Sequence, residues 1–255
     1  MKGVIVMTIL STPSSPASTL LDDLTPGSGL ALRRWTPDEF RRLASSAVLS
    51  DAAHLDLADG EIVDCDSRAP YLFNREEYYS LAEQGILGPE ERTELIYGRI
   101  ITRMSPISRP HSLSIAITAD ALEAAFGNTA AVEDQLAIHL DSGMEPQPDV
   151  VVLRGSSRDY LEVPRPADIL LLVEVSYSTL GYDRNTKSRM YAESGIADYW
   201  IVNLRSRILE VYRQPEGDAY VSLRVYDEME AVAPLAAPNA PVRVADLLPM
   251  VQTQQ

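Results

Sequence analysis

The chain has 255 residues, 45% of them apolar and 23% charged, which suffices for a full hydrophobic core and excludes a collagenous, disulfide-rich or wholly disordered chain. Acidic residues outnumber basic ones 37 to 22, for a net charge of −15, so the overall field repels nucleic acid unless a metal ion or a local basic patch intervenes. A single cysteine, Cys65, allows neither an internal disulfide nor a cysteine-cluster zinc site and points to a reducing, cytoplasmic compartment. No apolar run approaches the roughly eighteen residues of a membrane span, and the longest, 169–173, has the length of a strand.

In chain order, residues 1–30 come first. Lys2 and the apolar stretch 4–10 have the outline of a secretory signal, but the stretch is short and no small-residue cleavage site follows, so the expectation is a flexible tail. Pro13, Pro16, Pro26, Gly27, Gly29 and many Ser and Thr extend the predicted disorder to residue 30.

A shift of 38 residues aligns 35–63 with 73–101 without a gap. Glu39/Glu77, Leu43/Leu81, Leu57/Leu95, Gly60/Gly98 and Ile62/Ile100 are among the identities. Each copy opens with a cap residue three positions before a glutamate, Thr36 before Glu39 and Asn74 before Glu77, which predicts a short helix. Each then closes in a strand-like apolar stretch around a glycine, 57–63 and 95–101. Two copies are too few for a solenoid. Residues 31–70 are therefore predicted to be a duplicated helix-and-strand leading segment, serving dimerisation or covering a cleft.

From residue 108 the pattern predicts a helix over 108–126 stopped by Gly127-Asn128, strands at 131–140, 149–153 and 168–175, a helix over 183–194 closed by Gly195, and a strand at 198–203. A hairpin of 207–213 and 220–226 turns around Pro215-Glu216-Gly217-Asp218. The core order helix-strand-strand-strand-helix-strand means an α/β (α+β) domain with a mixed central sheet flanked by helices. Residues 228–255, rich in Pro and Ala, are expected to be irregular.

Asp149 stands at the mouth of one apolar strand and Glu174 near the end of the next. A carboxylate in such surroundings is costly to bury unless it is paired or ligates a cation. Residue types leave both readings open: a pairing with arginine, or a site for a hard divalent metal such as Mg²⁺. Of the 22 basic residues only Lys2 and Lys187 are lysines, so an internal lysine stands out as a compact point charge. Lys187 falls in the first turns of the helix that follows the Glu174 strand, from which it can reach back to that strand's end.

These residues carry a resemblance. Pro148-Asp149, Glu174-Val175-Ser176, Asp183, Lys187, Tyr191, Gly195 and the run 199–202 resemble the Uma-two family of restriction endonucleases, a branch of the PD-(D/E)XK nuclease superfamily. The stretch 94–100 and the Ser105-Pro106…His111 segment resemble that family's opening motif, and the match covers about residues 73–226.

The resemblance implies a restriction-endonuclease-like domain over 71–227 that hydrolyses DNA phosphodiester bonds with Mg²⁺ or Mn²⁺. Asp149 and Glu174 would hold the metal, Lys187 would orient or activate the attacking water, and Glu94 would be a further acid of the site. It also implies a homodimer and a position near the site for His111; His111, Ser176 and Arg109 are the expected substrate contacts. One departure stands out: the superfamily motif has Lys where this chain has Ser176, so Lys187 must supply the cation from the helix. Arg99, Arg103, Arg109, Arg184 and Arg189 either gather into a phosphate-facing patch or stay scattered and solvated. The acidic net charge, Ser176 and the duplicated segment favour an alternative, a catalytically inactive nuclease-fold protein used for binding or assembly.

Overall fold

The computed structural model describes residues 16–46, 48–49, 52–104 and 108–250. In chain order its elements begin with α1 (Pro16–Asp23), β1 (Leu30–Leu32), α2 (Pro37–Ser45), β2 (Leu55–Ala58), β3 (Glu61–Asp64), α3 (Arg75–Glu83), β4 (Thr93–Ile96) and β5 (Arg99–Arg103). They continue with α4 (Arg109–Phe126), β6 (Ala130–Asp134), β7 (Val150–Arg154), β8 (Ile169–Ser176), α5 (Leu180–Tyr182), a π-helical turn (Asp183–Lys187), α6 (Ser188–Glu193) and β9 (Asp198–Asn203). The last are β10 (Ile208–Glu216), β11 (Ala219–Asp227), β12 (Ala231–Val232) and β13 (Val242–Arg243). The chain divides into two compact units: a larger one of 1–28, 106–141 and 147–255, and a smaller one of 29–105 and 142–146.

The larger unit is built on one six-stranded sheet in the order β11-β10-β9-β8-β7-β6. Only β8 and β9 run parallel; the other neighbours are antiparallel, so the sheet is mixed. Seven of the eight residues of β8 are buried, because this central strand is covered on both faces. One face packs Val150, Val152, Val173, Val175, Trp200 and Val202 against Ile115, Leu122 and Phe126 of α4 and against Val244, Leu247 and Leu248. Strand alternation puts Leu172, Glu174 and Ser176 on the opposite face.

The smaller unit holds a three-stranded sheet, β1-β5-β4, a β2-β3 hairpin and the helices α2 and α3. Trp35, Leu43, Ile62, Phe73, Leu81, Leu95 and Ile100 form its core. Both helices start with a full capping box: Thr36 with Glu39 and Asn74 with Glu77 exchange side-chain and backbone bonds, which satisfies two otherwise orphaned amides each time.

Several expectations are corrected. The strand-like stretches at 57–63 and 95–101 are each a hairpin, since Asp59-Gly60 and Tyr97-Gly98 adopt positive φ and reverse the chain. The strand expected over 131–140 stops at Asp134, where Gln135 takes φ 50°. Predicted disorder over 1–30 fails at Pro16–Asp23, a helix whose Leu20 is fully buried, and at β1; residues 1–15 lie outside the described residues. Residues 31–70 do not stand apart, because they pack with 71–105 in one unit. The segment 228–250 contains β12, β13 and core residues Val232, Val242 and Val244, while 251–255 lie outside the described residues.

Candidate active site

Asp149 precedes β7, and one step beyond the Val150–Val173 pair the antiparallel register sets it opposite Glu174 on β8. Residues directly opposite in an antiparallel pair share a face, with Cβ atoms about 5 Å apart. Both carboxylates are buried, at 2% and 1% exposure. Asp149 Oδ2 accepts from the Val175 amide at 2.9 Å and from His111 Nε2 at 3.1 Å. Since an ionised carboxylate only accepts, His111 must carry its proton on Nε2 in this bond. His111 is placed by the first turn of α4 and is itself buried.

Glu174 Oε1 accepts from Lys187 Nζ at 2.7 Å and from Tyr191 OH at 2.9 Å. Lys187 has no exposed surface. An ammonium and a carboxylate taken out of water are tolerated because they meet each other, and removing either would leave an uncompensated charge costing about 3–5 kcal/mol. The amine arrives from the end of a π-helical turn, the kind of local widening that re-aims side chains at functional sites. Tyr191, one helical turn further on, converges on the same oxygen.

Asp23 ties that turn down: its Oδ2 accepts from the Thr186 amide at 3.1 Å and hydroxyl at 2.6 Å, and its Oδ1 from Asn185 Nδ2 at 2.8 Å. Asp183 Oδ2 accepts from Thr179 Oγ1 at 2.7 Å, and the Asp183 carbonyl accepts from the Tyr199 hydroxyl at 2.9 Å. Burial drives the Tyr199 hydroxyl well above its usual range, with Asp183 and Glu174 adding to the effect, so it stays a neutral donor. Beyond β9, Glu210 on β10 is buried and chelated by Arg184, with bonds of 2.8 and 2.6 Å, and also accepts from Asn203 and Tyr212.

Ser176 shares the face of Glu174, and its Oγ is buried without a hydrogen-bond partner. An orphaned hydroxyl on the strand face that carries Glu174 is a polar feature suited to a hydrated cation, and Mg²⁺ keeps several waters while taking only one or two carboxylates. Among the described residues there is no cluster of three or more His, Cys, Asp or Glu that could hold a metal by itself.

Asp149, Glu174, Lys187 and His111 thus come together in the larger unit, with Ser176 two residues beyond Glu174 on the same strand face. Glu94 is buried on β4 of the smaller unit, and Arg109 is exposed at the start of α4. The suggested arginine patch does not form from Arg184 and Arg189, which are neutralised by Glu210 and by Glu193 and Asp218; Arg99 pairs with Glu61. Residues 105–107 lie outside the described residues. Tyr191 reads from sequence as a core aromatic, and its fully buried ring fits that; its spacing of four from Lys187 is the signal that could have placed its hydroxyl at the same carboxylate.

The six-stranded mixed sheet with its flanking helices makes an α+β fold. A crystal structure of a putative nuclease belonging to DUF820 from Anabaena variabilis is similar over 69% of this chain and 97% of its own, with 18% identity and a TM-score of 0.52. The chain belongs to the Uma2 family, described as putative restriction endonuclease, whose model matches residues 75–244. No curated protein matches it. No helix among the described residues is long and apolar enough to cross a membrane.

Proposed function

We propose that this chain is a Mg²⁺-dependent endonuclease that hydrolyses DNA phosphodiester bonds, Mn²⁺ serving in place of Mg²⁺. The observation that carries the reading is the meeting of Lys187 Nζ and Glu174 Oε1 at 2.7 Å, one strand away from Asp149. Asp149 and Glu174 would hold the ion, which supplies Lewis-acid stabilisation of charge on the phosphate. Lys187 brings a positive charge to the same place, where it orients the attacking water and stabilises charge developing on phosphate oxygens. His111 and the Val175 amide fix the orientation of the Asp149 carboxylate, and Tyr191 does so for Glu174.

The test is cleavage of plasmid and single-stranded DNA with Mg²⁺ or Mn²⁺. Asp149→Asn and Lys187→Ala are expected to lower the rate at least about a hundredfold, the scale of losing one electrostatic stabiliser. Glu94→Ala, in the other unit, tests the further acid that the resemblance implies. Melting temperatures measured alongside separate lost chemistry from lost folding, which matters most for Lys187. Cleavage that survives both Asp149→Asn and Lys187→Ala refutes the site.

The closed Lys187–Glu174 pair and the net charge of −15 also suit a second reading, a nuclease-fold binding or assembly module without activity. No cleavage together with no Mg²⁺-dependent rise in melting temperature selects that reading, since an ion bound only by the folded state must stabilise it.

A further inference from the structure

The chain leaves β8 at Ser176, at the end of the sheet where Asp149 and Glu174 meet, and the turn 204–207 from β9 into β10 sits at the same end. That turn is fixed to the strand end: the Leu204 amide donates to the Ser176 carbonyl at 2.9 Å and the Ser206 amide to Asn203 Oδ1 at 3.1 Å. From this turn the Arg205 guanidinium lies over the Tyr177 ring, 4.7 Å from its centroid. Tyr177 nevertheless keeps 51% of its surface in water, and Arg205 is exposed.

The neighbouring arginines differ. Arg184 is chelated by Glu210 and Arg207 by Glu228, whereas Arg205 has no carboxylate within ion-pair distance among the described residues. In a chain of net charge −15, a guanidinium left without a counter-ion and stacked on a half-exposed aromatic ring is placed for a ligand that offers both negative charge and a π face. A nucleobase with its phosphate is such a ligand. Tyr177 follows Glu174 by three residues, about 10 Å of extended chain, so the ring stands beside the carboxylates rather than among them.

We propose that Tyr177 and Arg205 form a stacking platform for an unpaired base flanking the bond at Asp149 and Glu174, so that single-stranded or flipped-out DNA is preferred over continuous duplex. This rests on the nuclease reading of the site. Bases inside a duplex have both faces covered by their neighbours; only an unpaired base can lay a face on Tyr177. The pair thus selects substrate by secondary structure and tolerates any sequence, because every base has a π face.

The experiment is fluorescence anisotropy of the full chain carrying Asp149→Asn, with Mg²⁺ and a labelled oligothymidylate or its duplex with oligoadenylate. Tyr177→Ala and Arg205→Gln are each expected to weaken single-strand binding about tenfold and to leave duplex binding unchanged, with Tyr177→Phe restoring the parent affinity. Melting temperature reports whether a variant is folded, and Arg205→Gln, a surface change, keeps the test decisive if Tyr177→Ala unfolds. Equal losses on both substrates, no loss on either, or failure of Tyr177→Phe to restore binding overturns the platform. If wild-type protein cleaves DNA while Tyr177→Ala and Arg205→Gln leave the single-strand to duplex ratio unchanged, the platform falls and the nuclease reading stands. If wild-type protein neither binds nor cleaves DNA, the nuclease reading falls and takes the platform with it.

Discussion

The two aligned segments, 35–63 and 73–101, carry the same caps and hairpin turns and part company in what their strands meet. In the first, α2 leads to the β2-β3 hairpin, which stays two-stranded; no residue of β2 is buried, and Asp56 lies exposed, paired with Arg68 at 2.8 Å. In the second, α3 leads to β4 and β5, β5 takes β1 as a third strand, and three of the four residues of β4 are buried, Glu94 among them. The aligned acids Asp56 and Glu94 thus differ in environment although they occupy the same place in the same motif. Caps and turns are set by a few neighbouring residues; burial of a strand is set by whatever else the chain delivers to it. The family match begins at Arg75 and so covers only the second copy's helix and strands.

The strongest way to break this comparison is at the leucines that the copies share. Leu43 and Leu81 are both fully buried, so Leu43→Ala and Leu81→Ala are each expected to cost about 2–5 kcal/mol by chemical denaturation. A loss below about 1 kcal/mol for Leu43→Ala alone would mean that the first copy is an appendage to the core rather than part of it.

The turn glycines come next. Gly60 and Gly98 hold φ of 78° and 74°, where a side chain costs about 1–2 kcal/mol. A Cβ on Gly60 would meet the flexible Arg34 side chain at 3.3 Å, whereas one on Gly98 would lie 2.8 Å from Leu72 Cβ. Gly98→Ala is therefore expected to be the costlier by about 1–3 kcal/mol, and equal melting points for the two variants would refute the packing difference.

The smallest effect lies in the capping glutamates. Glu39 and Glu77 close equivalent boxes, but Glu39 also meets the buried Arg33 at 2.6 Å, while Glu77 takes the Tyr71 hydroxyl at 2.5 Å. Although partial burial alone would raise it, the bonds from Arg33 and Thr36 hold the Glu39 carboxyl down from 4.5 to about 2. A depressed carboxylate stabilises the fold above its unfolded value and loses that contribution as pH falls toward its folded value. Glu39→Gln is expected to cost about 1 kcal/mol at neutral pH. The gap to the parent should close as pH drops from about 4.5 toward about 2, as read from urea midpoints. A gap that stays constant with pH would remove the Arg33 contribution.

What could be read from sequence follows the same division between local and distant causes. The capping boxes, the stop of α4 at Gly127 and the order of the core strands depend on residues close in the chain, and they were legible. The hairpin turns carried a signal too, Asp59-Gly60, masked by the apolar residues on either side. The helix of Pro16–Asp23 was not legible, because its order comes from the burial of Leu20 and from Asp23 bonding to Asn185 and Thr186, more than 150 residues away. At the site, the spacing of Asp149, Glu174 and Lys187 along the sequence points to their convergence. The π-helical turn and the pairing of Arg184 with Glu210 have no signature in the run of residues, whereas the Tyr191 donor to Glu174 had one in its spacing of four from Lys187.

The widened turn at Asp183–Lys187 has an evolutionary consequence. Such a bulge behaves as a one-residue insertion in a regular helix, and its hydrogen bonding is poorer than that of the helix it interrupts. Deleting one residue there would rotate every side chain upstream by about 100° relative to those downstream, moving Asp183 and the Asn185–Thr186 anchor out of phase with Tyr191. Selection for thermal endurance alone would favour that deletion, and selection for the meeting of Lys187 and Tyr191 at Glu174 would oppose it. Homologues that have lost the bulge should therefore be the sturdier molecules with dismantled sites.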